Sequence, residues 1–227
     1  MIRRMALLAI FFTGIPGTVF GQGPSRVQVG PVVRMDQVSL EGGAAGGVFA
    51  LGAATNFRIG RGIGIEAEIT QASREIGRSY EGWFVSFNQN PNATRAEIEA
   101  LAPTARRTLG YLPGMGWSAA LVTRGRVAER LTMAARLGFS ARRYEETSTY
   151  TVLNIPAGVD PAWVARQFID SNSSRTRGGI LVGFDAAVAL TDRLSIVPEV
   201  RYVYGGPAQV GNKYRELGFG TRVMWRF

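Results

Sequence analysis

The sequence predicts an all-β protein: an eight-stranded antiparallel barrel of up-and-down topology whose strands cross a membrane. Three observations predict it. The last eleven residues alternate with period two, Leu217, Phe219, Thr221, Val223, Trp225 and Phe227 falling on one face and Gly218, Gly220, Arg222, Met224 and Arg226 on the other. A weak repeat of tight polar turns with a central arginine recurs along the chain. The face opposite the apolar one is charged, which a hydrophobic core does not tolerate and a polar lumen does.

The turns order the elements. Ile59 to Ile65, Val127 to Met133 and Leu190 to Ile196 each hold a turn followed by an alternating strand. Their central arginines, Arg61, Arg130 and Arg193, are 69 and 63 residues apart. Strands are expected near 26–36, 45–57, 62–74, 115–125, 130–144, 178–190, 193–204 and 217–227. Val33, Phe49, Ile65, Trp117, Leu137, Val182, Phe184, Val200 and Phe219 are among the residues placed outward. The count is even, and each strand is long enough to cross a bilayer at a tilt. Pro198 cannot donate to a ladder, so a bulge or a weak point in pairing is expected there.

The connections are unequal. Those near 58–61, 124–129 and 191–193 are short, whereas 75–114 and 145–177 are long. Short helices are expected in both long connections. Thr94-Arg95-Ala96-Glu97 has the form of a capping box. In the second, Asp160 suits a cap and Pro161 a first helical position, followed by Trp163, Val164, Gln167 and Phe168 at helical spacing. Asn92-Ala93-Thr94 matches a glycosylation acceptor and is read as chance.

The N-terminus reads as an export signal. Arg3 and Arg4 precede an apolar run from Met5 to Phe12, then Gly14, Pro16 and Gly17, with small residues before Gln22. Residues 1–21 are read as a cleaved signal peptide and 22–227 as the barrel domain. The apolar run is too short to anchor as a helix, and no later segment is long enough. Removing Arg3 and Arg4 with the leader takes the net charge from +9 to +7. Lys213 is the only lysine, and the arginines are scattered with no basic helical stripe, so nucleic acid is not an expected partner.

The inward strand positions carry the candidate functional residues. Arg34, Glu66, Glu68, Arg136, Arg142, Asp185, Glu199, Arg201, Glu216, Arg222 and Arg226 form a set of six arginines and five carboxylates. Gly64, Gly138, Gly179, Gly183, Gly218 and Gly220 supply room. An eight-stranded lumen is filled by side chains or holds one small ligand. The favoured reading is therefore a structural charge network that plugs the barrel, ahead of an ion path or a ligand lumen. The chain has no histidine and no cysteine, which removes Cys/His and Ser/His/Asp nucleophiles and the common zinc sites. Arginines close to Glu66 and Glu68 hold both ionised, which suits neither to act as a general acid. No catalytic, cofactor or metal residues are assigned, and no enzyme activity is expected.

The stretches Leu194 to Tyr202 and Leu217 to Phe227, ending Trp225-Arg226-Phe227, resemble the outer-membrane β-barrel family, in particular its small porin-like, OmpA/OmpX-type eight-stranded members. Arg222 stands where that pattern commonly has glycine. The resemblance implies a location in the outer membrane of a Gram-negative envelope, with the short turns and both termini in the periplasm and the long loops outside. It implies surrounding lipid and insertion by the barrel-assembly machinery, with Trp225 and Phe227 as the assembly signal. It also implies a structural, envelope-integrity role or a surface-interaction role, with loops 75–114 and 145–177 as the partner site. A narrow pore or small-ligand transport barrel is the alternative. A soluble periplasmic lipocalin-like barrel is the third reading and requires the reverse facing, with Phe184 and Trp225 in the lumen.

Overall fold

The computed structural model describes residues 27–40, 44–60, 62–83, 94, 102–205 and 214–227. The expected signal peptide, most of the 94–97 capping box and Arg61 lie outside the described residues. The elements in chain order are β1 (Val27–Ser39), β2 (Ala45–Gly60), β3 (Ile63–Ser73), β4 (Ile76–Trp83), β5 (Thr104–Ala128), β6 (Leu131–Asn154), a helix α1 (Pro161–Gln167), β7 (Ser171–Ala189), β8 (Leu194–Gly205) and β9 (Tyr214–Arg226). Every strand pairs antiparallel with its neighbours. The ring runs β1-β2-β3-β5-β6-β7-β8-β9, and β9 returns to β1 with Met35 opposite Phe219 and Gln28 opposite Arg226. Eight strands close the wall.

The ninth strand, β4, continues β3 beyond a break. β3 ends its pairing with β5 at Gln71↔Met115, and β4 resumes it at Ile76↔Tyr111, one register step away. Between them Arg74 has φ 88°, a left-handed backbone that non-glycine residues rarely adopt.

Alternation decides the facing. Along β3, Ile63, Ile65, Ala67 and Ile69 are exposed while Gly64, Glu66, Glu68 and Thr70 are buried. The same two-step pattern holds in β1, β8 and β9. The outer wall carries Val33, Phe49, Leu51, Trp117, Leu137, Phe139, Ile180, Val182, Phe184, Phe219 and Trp225, all exposed. A continuous apolar belt of this kind is unsuited to water and matches a lipid-facing wall. Phe184 and Trp225 are on the outer face, 55% and 45% exposed, so the lipocalin-like reading is overturned. That fold needs these rings inside.

The two long connections are shorter than expected, because much of each is strand. β5 starts at Thr104 and β6 runs to Asn154, 25 and 24 residues, and β7 starts at Ser171. Beyond the belt both faces of these strands are polar, so the apolar alternation that marks the wall disappears. Thr147, Thr149 and Thr151 still favour strand through β-branching. Pro113 and Gly114 also interrupt the pattern, and the structure absorbs them as a bulge, with the β5–β6 register shifting between Pro113 and Gly116. The result is a sheet of β4, β5, β6 and β7 projecting past the belt. The remaining connection holds α1, where the Asp160 side chain accepts from the Ala162 N–H at 2.9 Å and Pro161 opens the helix.

Pro198 leaves a weak point and no bulge. β7 and β8 keep one register, but their pairing lapses between Asp185↔Glu199 and Val188↔Ile196, the gap that contains Pro198. β1 does the same beside Pro31, its pairing with β9 lapsing between Val29↔Trp225 and Val32↔Arg222. The short turns close tightly. Thr191 Oγ1 accepts from the N–H groups of Arg193 and Leu194 at 3.2 and 3.0 Å.

Closure is directly testable. Val33 and Thr221 are opposed across β1 and β9, and the chain has no cysteine of its own. A Val33→Cys, Thr221→Cys double variant is expected to form an intramolecular disulfide on oxidation, seen as a reductant-sensitive mobility shift of the monomer. An open sheet gives no such product.

Candidate functional site

The barrel interior is built from the inward positions of all eight wall strands. Arg34 and Asp36 come from β1, Glu66 and Glu68 from β3, Arg136 and Arg142 from β6, Asp185 from β7, Glu199 and Arg201 from β8, and Glu216 and Arg222 from β9. Each is at most 6% exposed. Even spacing within a strand, two residues or six, puts each pair on the same face. β2, β5 and β9 contribute small residues at the same level. A Cβ on Gly218 would sit 2.5 Å from Asp36 Oδ1 and 2.9 Å from Arg34 Cδ, so the arginine stem occupies the space a side chain would take.

These residues form one connected network. Arg34 donates through Nε to Asp36 Oδ1 at 2.5 Å and through Nη1 to Glu68 Oε1 at 2.5 Å. Arg201 reaches the same Glu68 oxygen at 3.1 Å and Glu216 Oε1 at 2.5 Å. Arg142 Nη2 donates to Asp36 Oδ2 at 2.7 Å. On the other side, Arg136 donates to Asp185 Oδ2 from Nε at 2.8 Å and also from Nη2, and to Glu199 Oε2 from Nη1 at 2.6 Å. Arg222 bonds Glu66 Oε2 at 2.5 Å and Asp185 Oδ2 at 3.1 Å. Glu199 joins the halves. Its Oε2 is 3.0 Å from Arg222 Nε, and its Oε1 is 3.5 Å from Arg34 Nη1. Tyr214 adds a hydroxyl donor to Glu216 Oε2 at 2.5 Å.

Ten of the eleven expected lumen residues meet here, and one does not. Arg226 is exposed at the rim, one residue before the end of the described chain. It shares the parity of Arg222 but lies past the level at which the wall encloses a side chain. Asp36 takes a place that the sequence reading missed. It lies two residues after Arg34 on the same face, and that spacing was the available signal. The network therefore holds five arginines and six carboxylates. Arg124, donating to Asn56 Oδ1 at 2.6 Å, sits at the short-turn end of the same lumen. Arg222 donates into this network where the family pattern commonly has glycine.

The arrangement binds itself. Every carboxylate in it accepts from, or lies against, one or more arginines, so none is left as a free base. The guanidinium forks tie six strands together across the axis. Trp225 and Phe227, read as the assembly signal, stand on the outer face at the short-turn end, and the Phe227 N–H donates to Val27 O at 3.3 Å.

Comparison with solved structures bears on the fold. Neisserial surface protein A matches over 91% of this chain and 100% of its own, with a TM-score of 0.50 and 16% identity. The chain has the fold of an eight-stranded outer-membrane β-barrel. Two further structures of that kind match less closely. OprG from Pseudomonas aeruginosa covers 91% of this chain and 98% of its own, with a TM-score of 0.45 and 10% identity. Ail of Yersinia pestis, solved in complex with the heparin analogue sucrose octasulfate, covers 91% and 100%, with a TM-score of 0.44 and 11% identity. No family model matches the chain, and no curated protein matches it in sequence.

The network sets unequal costs. Glu199→Gln removes the charge shared by Arg34, Arg136 and Arg222 and is expected to destabilise the folded barrel by about 3–5 kcal/mol. Arg226→Gln, at the exposed rim, is expected to stay within about 0.5 kcal/mol. Urea unfolding of both variants in lipid vesicles, followed by tryptophan fluorescence, checks the ranking. Equal midpoints for the two would remove Glu199 from its bridging role.

Proposed function

We propose that this protein is a non-enzymatic integral component of the outer membrane, with its barrel serving as a sealed structural element and its projecting sheet as a surface-interaction element. The observation that carries this reading is the network of eleven charged side chains meeting across the lumen, each nearly or fully buried. An open ion path needs a continuous water column, and the guanidinium–carboxylate contacts of 2.5–3.1 Å occupy that space instead. The closed antiparallel wall and its apolar belt support a membrane location, since lipid cannot satisfy an open sheet edge.

Export, insertion and orientation accord with this placement. Residues 1–21 direct export and are removed. The barrel-assembly machinery inserts the chain, reading the final strand with its outward Trp225 and Phe227. The short turns and both termini face the periplasm. The sheet β4–β7 and α1 stand outside the cell, where residues 75–114 and 145–177 offer the partner surface. The absence of histidine and cysteine, and the engagement of the inward carboxylates by arginine, support a role without catalysis.

Two measurements test the proposal. Refolded protein in planar bilayers is expected to show no discrete channel openings, and regular unitary conductance would replace the sealed barrel with a pore. Val182→Arg places a charge on the outer wall among Phe184, Leu137 and Tyr202. It is expected to cost about 2–4 kcal/mol of folding into lipid vesicles if Val182 lies near the bilayer midplane. An unchanged urea midpoint would contradict the lipid-facing assignment.

A further inference from the structure

Above the network, at the mouth where the sheet projects, the balance of charge changes. The lumen-side face there carries Arg78 on β4, Arg107 on β5, and Arg175 and Arg177 on β7. Among the described residues of that face, Glu146 on β6 is the one carboxylate. Asp170, at the foot of β7, accepts from the Tyr150 backbone N–H at 2.9 Å. Glu146 Oε1 accepts from Arg177 Nε at 3.0 Å and Nη2 at 2.6 Å, and its Oε2 lies 3.5 Å from Arg175 Nε. Arg107 donates to Ser148 Oγ at 2.9 Å and lies over the Tyr150 ring.

Three side chains at the base of this vestibule are buried with donor atoms left over. Arg142, Tyr144 and Arg177 are 2%, 0% and 7% exposed. Arg142 Nε and Nη1, the Tyr144 hydroxyl and Arg177 Nη1 have no hydrogen-bond partner. The carboxylate facing Arg142 Nε is Glu216, whose Oε2 stands off at 3.6 Å. Arg142 and Arg177 are directly opposed across β6 and β7. Their Cβ atoms on the lumen face are therefore about 5 Å apart. Tyr144 is two residues along β6 on the same face, its ring set edge-on to Tyr214 at 6.2 Å. The Arg177 guanidinium lies 5.8 Å from the Tyr111 ring centroid. Two buried arginines start from opposed positions, and each unmade buried donor carries a desolvation cost. An anion with several acceptor oxygens supplies partners to such donors.

We propose that Arg142, Arg177 and the Tyr144 hydroxyl form a binding site for a small oxyanion: phosphate, sulfate, or the phosphate or carboxylate group of a solute entering from the mouth. The arginine surplus above the site draws anions toward it. Arg142 is the upper edge of the sealing network, but Arg177 and Glu146, the residues varied below, lie above it, so failure of the site leaves the sealed-barrel reading untouched, and a conducting barrel does not by itself create it.

The test uses the whole refolded chain in non-ionic detergent micelles, titrated calorimetrically with sodium sulfate and sodium phosphate and, at matched ionic strength, sodium chloride. Saturable binding of the oxyanions is expected. Arg177→Gln is expected to weaken it on the order of tenfold or more, the loss of a charge-assisted hydrogen bond. Glu146→Gln removes the negative charge that neutralises Arg177 and is expected to tighten it. Folding of each variant is read from its heat-modifiable migration on gels. Saturable binding that persists in Arg177→Gln, a response that chloride matches, or no saturation in wild type would each overturn the site. If Arg177→Gln fails to fold, Glu146→Gln decides: weaker or unchanged binding in it overturns the proposal.

Discussion

Arginine–carboxylate pairing across the lumen is the constraint on which the rest of this structure depends. A soluble barrel collapses because water expels its apolar interior. Here the apolar side chains are on the outer wall, where lipid is as apolar as they are and gives no inward drive. Much of the interior is held by polar contacts, beside a buried apolar cluster that includes Val38, Val48, Ile76 and Val203. A buried ion pair repays its desolvation poorly, and a buried charge without a partner is worse than none. Arg34, Arg136, Arg201 and Arg222 each touch two or more carboxylates, and Glu199 is shared by three arginines. The planar fork of arginine suits this sharing, and the interior network uses no lysine.

The same requirement explains features of the wall. Long arginine stems need space, and Gly218 provides it beside Arg34 and Asp36. Proline appears where the ladder is already interrupted. Pro31 and Pro198 fall in gaps of otherwise unbroken register, and Pro113 falls at a bulge. Arg222 occupies β9 where glycine is common in the pattern this strand resembles. Exchanging it would strand Glu66 and Asp185 with one guanidinium fewer.

Within the belt, the sequence made the fold legible, because two solvents meet at one wall and period two records which side each residue faces. Leu217 to Trp225 and Ile63 to Thr70 alternate without error. Outside the belt that contrast vanishes. Arg143, Glu145 and Thr147 face outward and Tyr144, Glu146 and Ser148 inward, all in strand, yet none of that shows as an apolar rhythm. The ends of β5, β6 and β7 were therefore hidden, and the loops read as longer than they are. The lumen set was legible for the same reason as the wall: a charged residue at inward parity has nowhere else to go. Parity alone does not give height along the axis. Arg226 has the right parity but lies at the rim, and only the closing register of β9 on β1 shows that.

The two ends of the lumen differ in kind. In the middle, each arginine meets carboxylates on several strands, and the count of five against six is nearly balanced. Toward the mouth, among the described residues, Arg78, Arg107, Arg175 and Arg177 face one Glu146, and buried donors without a partner occur in both regions, on Arg34, Arg201 and Arg222 in the middle and on Arg142, Tyr144 and Arg177 toward the mouth. The tying of six strands across the axis explains the first region. The second region is tied differently. There the projecting sheet is held by its own ladder, as the β5–β6 pairing from Ala105↔Val152 to Pro113↔Tyr144 shows, with the cross-strand contacts of Arg177 to Glu146 and of Arg107 to Ser148 Oγ added to it. A surface richer in arginine than in carboxylate, set over buried donors without a hydrogen-bond partner, has the electrostatic character of a receptor for anions.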